Sequence, residues 1–210
     1  MSNRRAAPDH SPVRQKIRIW ILRALAVAFV AFNVLTQPFG ADDGPWQRFL
    51  EVFGTALIMA GVIGRIIAIL YIGDRKNSNL VTEGPYSITR NPLYLCSLVM
   101  IFGAGLIFGS LIGAVIFTFL AYVIFWNTAK REEEYLAHIF GVSFAEYARS
   151  TPFFWPDFSN MNWGSDRTFS PKALLITARD AILIIGVIPL SEIVNFLHGQ
   201  DYVVALVSLP

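Results

Sequence analysis

The sequence predicts an all-α integral membrane protein, a helical bundle with about five transmembrane helices. Of its 210 residues, 54% are hydrophobic and only 15% are charged, whereas a typical soluble domain has about 25% charged residues. The apolar residues lie in long runs at 17–36, 49–72, 93–126 and 173–197. Because roughly 20 apolar residues suffice for a helix to cross the bilayer, each run can span it. This composition argues against an ordinary soluble enzyme and against a disordered chain.

The first run predicts a span that is retained in the mature protein. A basic lead followed by apolar residues is also typical of a signal peptide. The apolar stretch is long, however, and no convincing small-residue cleavage site follows it. We expect residues 1–16, which are polar and basic and contain two prolines, to be disordered.

The run at 93–126 predicts two helices. It contains no charged residue, and as one helix it would be about 50 Å long, well beyond the roughly 30 Å of the hydrocarbon core. A turn is expected at Phe108-Gly109-Ser110, in a glycine-rich stretch that also allows close helix packing. With the other three runs, this hairpin brings the number of spans to five.

The basic residues predict the orientation, since Lys and Arg favour the cytoplasmic side. Most of them lie before the first span or in the second and fourth connections, and the outer connections contain only Arg48. The N-terminus is therefore expected in the cytoplasm. The two large polar segments, 73–92 and 127–172, would then lie together on the cytoplasmic face.

The remaining composition excludes several functions. A net charge of +2 is too small for a nucleic-acid-binding face. One cysteine excludes a disulfide framework and a Cys-based metal site. His10, His138 and His198 are too scattered in the sequence to hold a metal. No metal site and no nucleic-acid partner are therefore expected.

The first polar segment ends with the pair Asn91-Pro92, directly before the third span. Asn is a preferred N-cap and Pro is favoured at the first helical position, so local physics alone explains the pair as a helix start. In the second segment, the fourth span is expected to continue as a charged helix that ends at Gly141. The carboxylates of this helix lie at Glu132, Glu133 and Glu134, just beyond the apolar stretch.

The two segments together carry an ordered set of residues between about 80 and 156. These are Gly84, Tyr86, Arg90, Asn91, Pro92 and Tyr94 before the hairpin, and Glu132, Glu133, Leu136, Phe140, Gly141, Phe144, Tyr147, Pro152 and Pro156 after it. The set resembles the pattern of the isoprenylcysteine carboxyl methyltransferase family and of related membrane phospholipid methyltransferases. Asn91 stands where that family has His, and Phe144 replaces a common Tyr.

The resemblance implies an integral-membrane methyltransferase that uses S-adenosylmethionine. Its acceptor would be a lipophilic small molecule, such as an isoprenoid carboxylate, a membrane lipid or a lipid-anchored molecule, met at the cytoplasmic interface of a bacterial inner membrane. The implied cofactor-binding residues are Tyr86, Arg90, Asn91, Pro92, Tyr94, Glu132, Glu133 and Tyr147, of which Arg90, Glu133 and Tyr94 are also implied to be catalytic. Carboxylates suit the ammonium and ribose groups of this donor, tyrosines offer aromatic faces for its cation, and Arg90 can clamp a carboxylate.

On this basis the chain divides into four parts: a basic N-terminus at 1–16, two helices at 17–72, a methyltransferase core at 73–156 and an extension with a fifth span at 157–210. Two alternatives stay open. The Asn91 replacement keeps open a non-enzymatic accessory protein of the NnrU-like type on the same scaffold, and the charge-free hairpin speaks against a small transporter. Arg65, inside the second span, is either a functional cation, or it snorkels to the interface or pairs with a polar group on a neighbouring helix.

Overall fold

The computed structural model describes residues 12–38, 44–72, 79–164, 169–200 and 207–209. Within them the helices are α1 (Pro12–Leu35), α2 (Pro45–Ile72), α3 (Pro85–Ile88), α4 (Pro92–Ile107), α5 (Leu111–Phe140), α6 (Val142–Ser150), α7 (Pro171–Ile185) and α8 (Val187–Gly199). A 3-10 turn covers Phe158–Asn160, and strands β1 (Thr36–Pro38) and β2 (Val207–Leu209) pair in parallel. The disorder predicted for 1–16 lies mostly outside the described residues, although α1 already begins at Pro12.

The chain is a polytopic membrane helical bundle, which confirms the fold class predicted from composition. Among the described residues, three stretches are long and apolar enough to cross a bilayer: Pro45–Ile72, Leu111–Phe140 and Pro171–His198. Two shorter apolar helices, Trp20–Leu35 and Pro92–Ile107, complete the five hydrophobic segments. The second of these, α4, is the first arm of the predicted hairpin.

The hairpin turns at the glycine-rich position expected from the sequence. Helix α4 ends at Ile107 and α5 begins at Leu111. Gly109 has a φ of +73° between them, a conformation that is costly for residues with a Cβ. The Ser110 side chain caps α5 by accepting a 3.0 Å hydrogen bond from the Gly113 amide. The single run at 93–126 thus folds back as two helices.

Helix α2 packs closely against α4 through small residues. A Cβ placed on Gly54 would lie only 2.6 Å from the carbonyl oxygen of Gly103, so neither position has room for a side chain. The main apolar cluster beside this contact also includes α7, and its buried members are Ile58, Val62, Met100, Ala104, Ile107 and Ala181. The C-terminal extension therefore belongs to the core of the bundle.

One end of the bundle collects the polar segments. Helix α2 ends there, α3 lies there, α4 begins there, and α5 continues past its apolar part to Phe140 and the short helix α6. Gly141, with a φ of +52°, separates α5 from α6 as the predicted C-cap. We call the described residues 79–92 and 127–164 the polar end.

Candidate active site

An ion pair joins the two predicted halves of the site. The Nη1 atom of Arg90 donates a short hydrogen bond to Oε1 of Glu133. The two side chains are only 16% and 20% exposed. The residues lie 43 positions apart in the sequence, so the pair is a long-range contact. Burial raises the pKa of Glu133, while the nearby cations Arg90 and Lys130 oppose that effect. Two residues implied to be catalytic are therefore in direct contact.

The backbone around Arg90 is fixed by the proline segment at 152–156. The Arg90 amide donates to the carbonyl of Pro152 at 2.9 Å, and the buried hydroxyl of Thr89 donates to the carbonyl of Phe154 at 2.9 Å. Phe154 is 2% exposed and anchors this segment in a second apolar cluster between α4 and α5. The strand-like stretch before α4 is thereby tied to a segment more than 60 residues away.

Asn91 occupies the N-cap position of α4 with Pro92 at the first helical position, as the local pattern predicts. Its side chain, however, makes no capping hydrogen bond. The Nδ2 atom instead donates to the carbonyl of Phe153 at 2.7 Å. The expectation of an ordinary capping side chain was therefore incomplete, because the amide serves a long-range contact.

Phe153 is a site residue that the sequence analysis missed. Its ring lies beneath the Arg90 guanidinium at 5.4 Å and close to the Lys130 ammonium at 5.5 Å. Trp126 packs edge-on against the same ring at 4.6 Å. The available signal was the pair of aromatics directly after Pro152, within the segment that the family pattern marks only by its prolines.

A second contact between the two halves joins Tyr94 to Glu132. The Tyr94 hydroxyl donates to Oε1 of Glu132 at 3.0 Å, and the tyrosine ring stacks on Phe125 with centroids 5.1 Å apart. Tyr94 lies one turn along α4 from Asn91, and Glu132 adjoins Glu133 on α5. Helices α4 and α5 therefore both contribute residues to one cluster of charged and aromatic groups.

Tyr86 and Tyr147 form a buried pair beside this cluster. The Tyr147 hydroxyl donates to the backbone carbonyl of Tyr86 at 2.7 Å, which fixes α6 against α3. Burial raises the pKa of both phenols well above the usual value. Glu132 lies near enough to Tyr86 to raise its pKa further. Both hydroxyls therefore remain protonated at neutral pH.

A polar cleft of about 460 Å³ lies on the α6 side of the polar end. Ser87, Tyr147, Thr151 and Asn162 contribute to its lining. Its walls are held by a 3.0 Å hydrogen bond from the Asn162 amide to the Ser87 hydroxyl. Of the residues predicted to bind cofactor, only Tyr147 lines this cleft.

Three buried polar atoms in or next to the polar end have no hydrogen-bond partner in the described part of the chain. They are Nε of Arg90, the hydroxyl oxygen of Tyr86 and Nε of Arg65. Buried polar groups are satisfied in the great majority of cases, so these atoms mark places where a ligand or water can bind. Within the same ranges, no three His, Cys, Asp or Glu side chains stand close enough together to hold a metal ion.

Comparison with known proteins agrees with this architecture. The phospholipid methyltransferase family model matches residues 49–143. The chain is 32% identical over 206 residues to the cobalt-zinc-cadmium resistance protein CzcN of Cupriavidus metallidurans, covering 97% of this chain and 92% of that protein. It is 30% identical to the nickel-cobalt-cadmium resistance protein NccN of Alcaligenes xylosoxydans xylosoxydans, with 98% and 96% coverage. No solved structure matches.

A third relative is an enzyme by name. Protein-S-isoprenylcysteine O-methyltransferase A of Arabidopsis thaliana is 31% identical over 137 residues, which cover 60% of this chain and 70% of that protein. These matches, together with the membrane-embedded helical fold, support a membrane methyltransferase scaffold. The chain belongs to the family of isoprenylcysteine carboxyl and phospholipid methyltransferases, and the two resistance proteins share nearly its whole length, including the C-terminal extension.

Proposed function

We propose that this chain is an S-adenosylmethionine-dependent methyltransferase whose active site is the polar end, facing the cytoplasm. The observation that carries the proposal is the Arg90–Glu133 ion pair, because it joins both halves of the family pattern in one half-buried site. Membership of a methyltransferase family supports it independently. The acceptor is a lipophilic molecule that reaches the site from the bilayer.

The residues of the polar end, with Tyr94 directly beside it, fit the methyl donor. Its ammonium and ribose hydroxyls need acceptors, which Glu132 and Glu133 supply, and its carboxylate needs a donor such as the unpartnered Nε of Arg90. Tyr94 adds a ring for a cation. When bound, the cofactor supplies a methyl group on a positively charged sulfur. One N–H of the Asn91 amide donates to the carbonyl of Phe153 and holds the proline segment in place, while its oxygen can still accept a hydrogen bond from the cofactor.

The chain contributes to methyl transfer by positioning and by excluding water. Phe153 and Trp126 form an apolar wall directly beside the charged groups, which strengthens their electrostatic interactions. A carboxylate acceptor is ionised near neutral pH and needs no base. For an amine or thiol acceptor, Glu133 is the proton acceptor, because its raised pKa makes it a stronger base than an exposed carboxylate.

The test is a transfer assay with the purified protein in a mild detergent, methyl-labelled S-adenosylmethionine and a lipid extract of host membranes. We expect label in the organic phase with the wild-type protein, and strongly reduced label with Glu133→Gln. Folded wild-type protein that transfers no label to any lipid fraction would contradict the proposal.

A non-enzymatic accessory role is the second candidate. It is favoured by the names of CzcN and NccN, which describe metal resistance and no methyl transfer, and by the replacement of the family His by Asn91. The two candidates differ in one property that can be measured directly. An accessory protein would not bind S-adenosylmethionine, whereas the proposed enzyme must.

A further inference from the structure

Arg65 is a cation inside the transmembrane helix α2 that lies apart from the Arg90–Glu133 pair. It is half-buried and stands about two helical turns, or roughly 10 Å, before the end of α2 at Ile72. Its Nη1 atom donates to the Ser97 hydroxyl on α4 at 2.6 Å. No carboxylate of the described residues forms an ion pair with it. A charge in such a position is a candidate functional group.

The Ser97 hydroxyl positions Arg65 but cannot balance its charge. It donates its own hydrogen to the carbonyl of Leu93 at 2.8 Å while it accepts from Arg65. The Nε atom of Arg65 remains buried without a partner. The guanidinium is therefore held by Ser97 through Nη1, while the hydrogen on Nε remains free to donate to another group.

The unpartnered hydroxyl of Tyr86 belongs to the same helix interface. Tyr86 is 6% exposed and packs in a cluster with Ala68 on α2 and Leu93 on α4. Ala68 lies one turn from Arg65, and Leu93 one turn from Ser97. Arg65 also influences the pKa of Tyr86, which it lowers against the dominant effect of burial. The two unpartnered groups thus face one region between α2 and α4.

Both unused groups are hydrogen-bond donors, and one carries a positive charge. Their complement is an anionic acceptor group. Because Arg65 lies about two turns inside α2, this group must arrive on an apolar chain. Resting on the proposed function, we propose that Arg65, positioned by Ser97 and assisted by Tyr86, forms a subsite between α2 and the polar end for the anionic group of the lipophilic acceptor. The ligand class is a carboxylate or phosphate on a long apolar chain, which enters laterally from the bilayer.

The test measures binding of three probes to the full-length protein in dodecyl maltoside: palmitate, hexadecyl phosphate and uncharged methyl palmitate. We expect at least one anionic probe to bind about tenfold tighter than the ester, which corresponds to about 1.4 kcal/mol. Comparison of palmitate with hexadecyl phosphate identifies the acidic group. Arg65→Gln should abolish the preference, and the matched control Arg179→Gln, on an arginine whose side chain is 73% exposed, should keep it.

An equal affinity of the wild-type protein for all three probes would overturn the subsite, and so would an unchanged preference in Arg65→Gln. If that variant does not fold, Tyr86→Phe decides: a reduced preference supports the subsite and an unchanged one overturns it. Titration of S-adenosylmethionine into the same wild-type preparation reports the proposed function separately. Anion preference without cofactor binding would refute the methyltransferase and leave the anion subsite standing.

Discussion

Two arginines at the same end of the bundle solve the problem of a buried charge differently. Arg90 is paired with Glu133 across two helices and lies over the ring of Phe153. Arg65, deeper along α2, is held by the neutral hydroxyl of Ser97. Both have an unpartnered Nε atom. The charge of Arg90 is therefore largely balanced within the protein, whereas no carboxylate of the described residues forms an ion pair with Arg65.

The largest effect in this comparison is expected from Gly61→Ala, which should disturb the packing around Arg65. A Cβ there would contact the side chain of Met100 and lie 2.8 Å from the carbonyl oxygen of Cys96, so α2 must move away from α4. We expect a loss of about 1–3 kcal/mol of stability from overpacking, together with loss of the anion preference assigned to Arg65. Thermal unfolding in detergent and the three-probe binding assay measure these effects.

Gly64→Ala is the control for that change, since its Cβ would meet mainly the rotatable sulfur of Cys96 at 2.8 Å. It should unfold close to the wild-type temperature. Equal destabilisation by both variants would show that the backbone contact at Gly61 is not what holds α2 against α4.

The Glu133→Gln variant makes the two arginines more alike. It removes the negative charge that balances Arg90, so that Arg90, like Arg65, no longer forms an ion pair. We expect the affinity for S-adenosylmethionine to fall about tenfold or more, since a charge-assisted contact is lost. Calorimetric titration measures the affinity. The exposed neighbour Glu134 provides the control, and a Glu134→Gln variant with the same loss would contradict the role assigned to Glu133.

Asn91→Ala removes the hydrogen bond that fixes the carbonyl of Phe153 beneath Arg90. We expect a loss of about 1 kcal/mol of stability, with a weaker affinity for the cofactor because the proline segment is released. Asn91→His retains a ring N–H that can donate to the same carbonyl, so it should stay closer to the wild-type protein in both thermal unfolding and titration. A His variant that behaves like the Ala variant would show that this site is built specifically around the amide.

Tyr94→Phe should have the smallest effect. It removes one exposed hydrogen bond to Glu132 and keeps the stacking on Phe125, so we expect a loss of about 1 kcal/mol or less in cofactor binding. Tyr122→Phe on α5 is the matched control, because this aromatic residue packs against Trp126 and Phe154 outside the contact with Glu132. A larger effect of Tyr122→Phe than of Tyr94→Phe would contradict a cofactor site beside Glu132.

The parts of the fold that sequence could predict are those set by local signals. A charge-free run too long for one span, with Gly109 at its middle, predicts the hairpin, and Gly141 predicts the end of α5. The break in the last stretch was not predicted. It falls at Gly186, while Pro189 is accommodated in the first turn of α8, where its missing N–H has no intrahelical acceptor.

The functional site likewise has parts that could be predicted from the sequence and parts that could not. The resemblance supplied Arg90 and Glu133 as site residues, and the structure brings them into contact. Their partners could not be predicted, because the bond from Asn91 to Phe153 and the packing of Phe153 under Arg90 depend on residues about 60 positions apart. Arg65 was recognised as unusual from its place in an apolar run, but only packing of α2 on α4 shows that it meets Ser97.

The most direct test of the central claim is a calorimetric titration of S-adenosylmethionine into the purified, monodisperse wild-type protein in detergent. The proposed enzyme predicts saturable binding with one cofactor per chain, and an affinity that falls when Glu133 is replaced by Gln. Absence of binding by folded protein would contradict the methyltransferase and favour the accessory role.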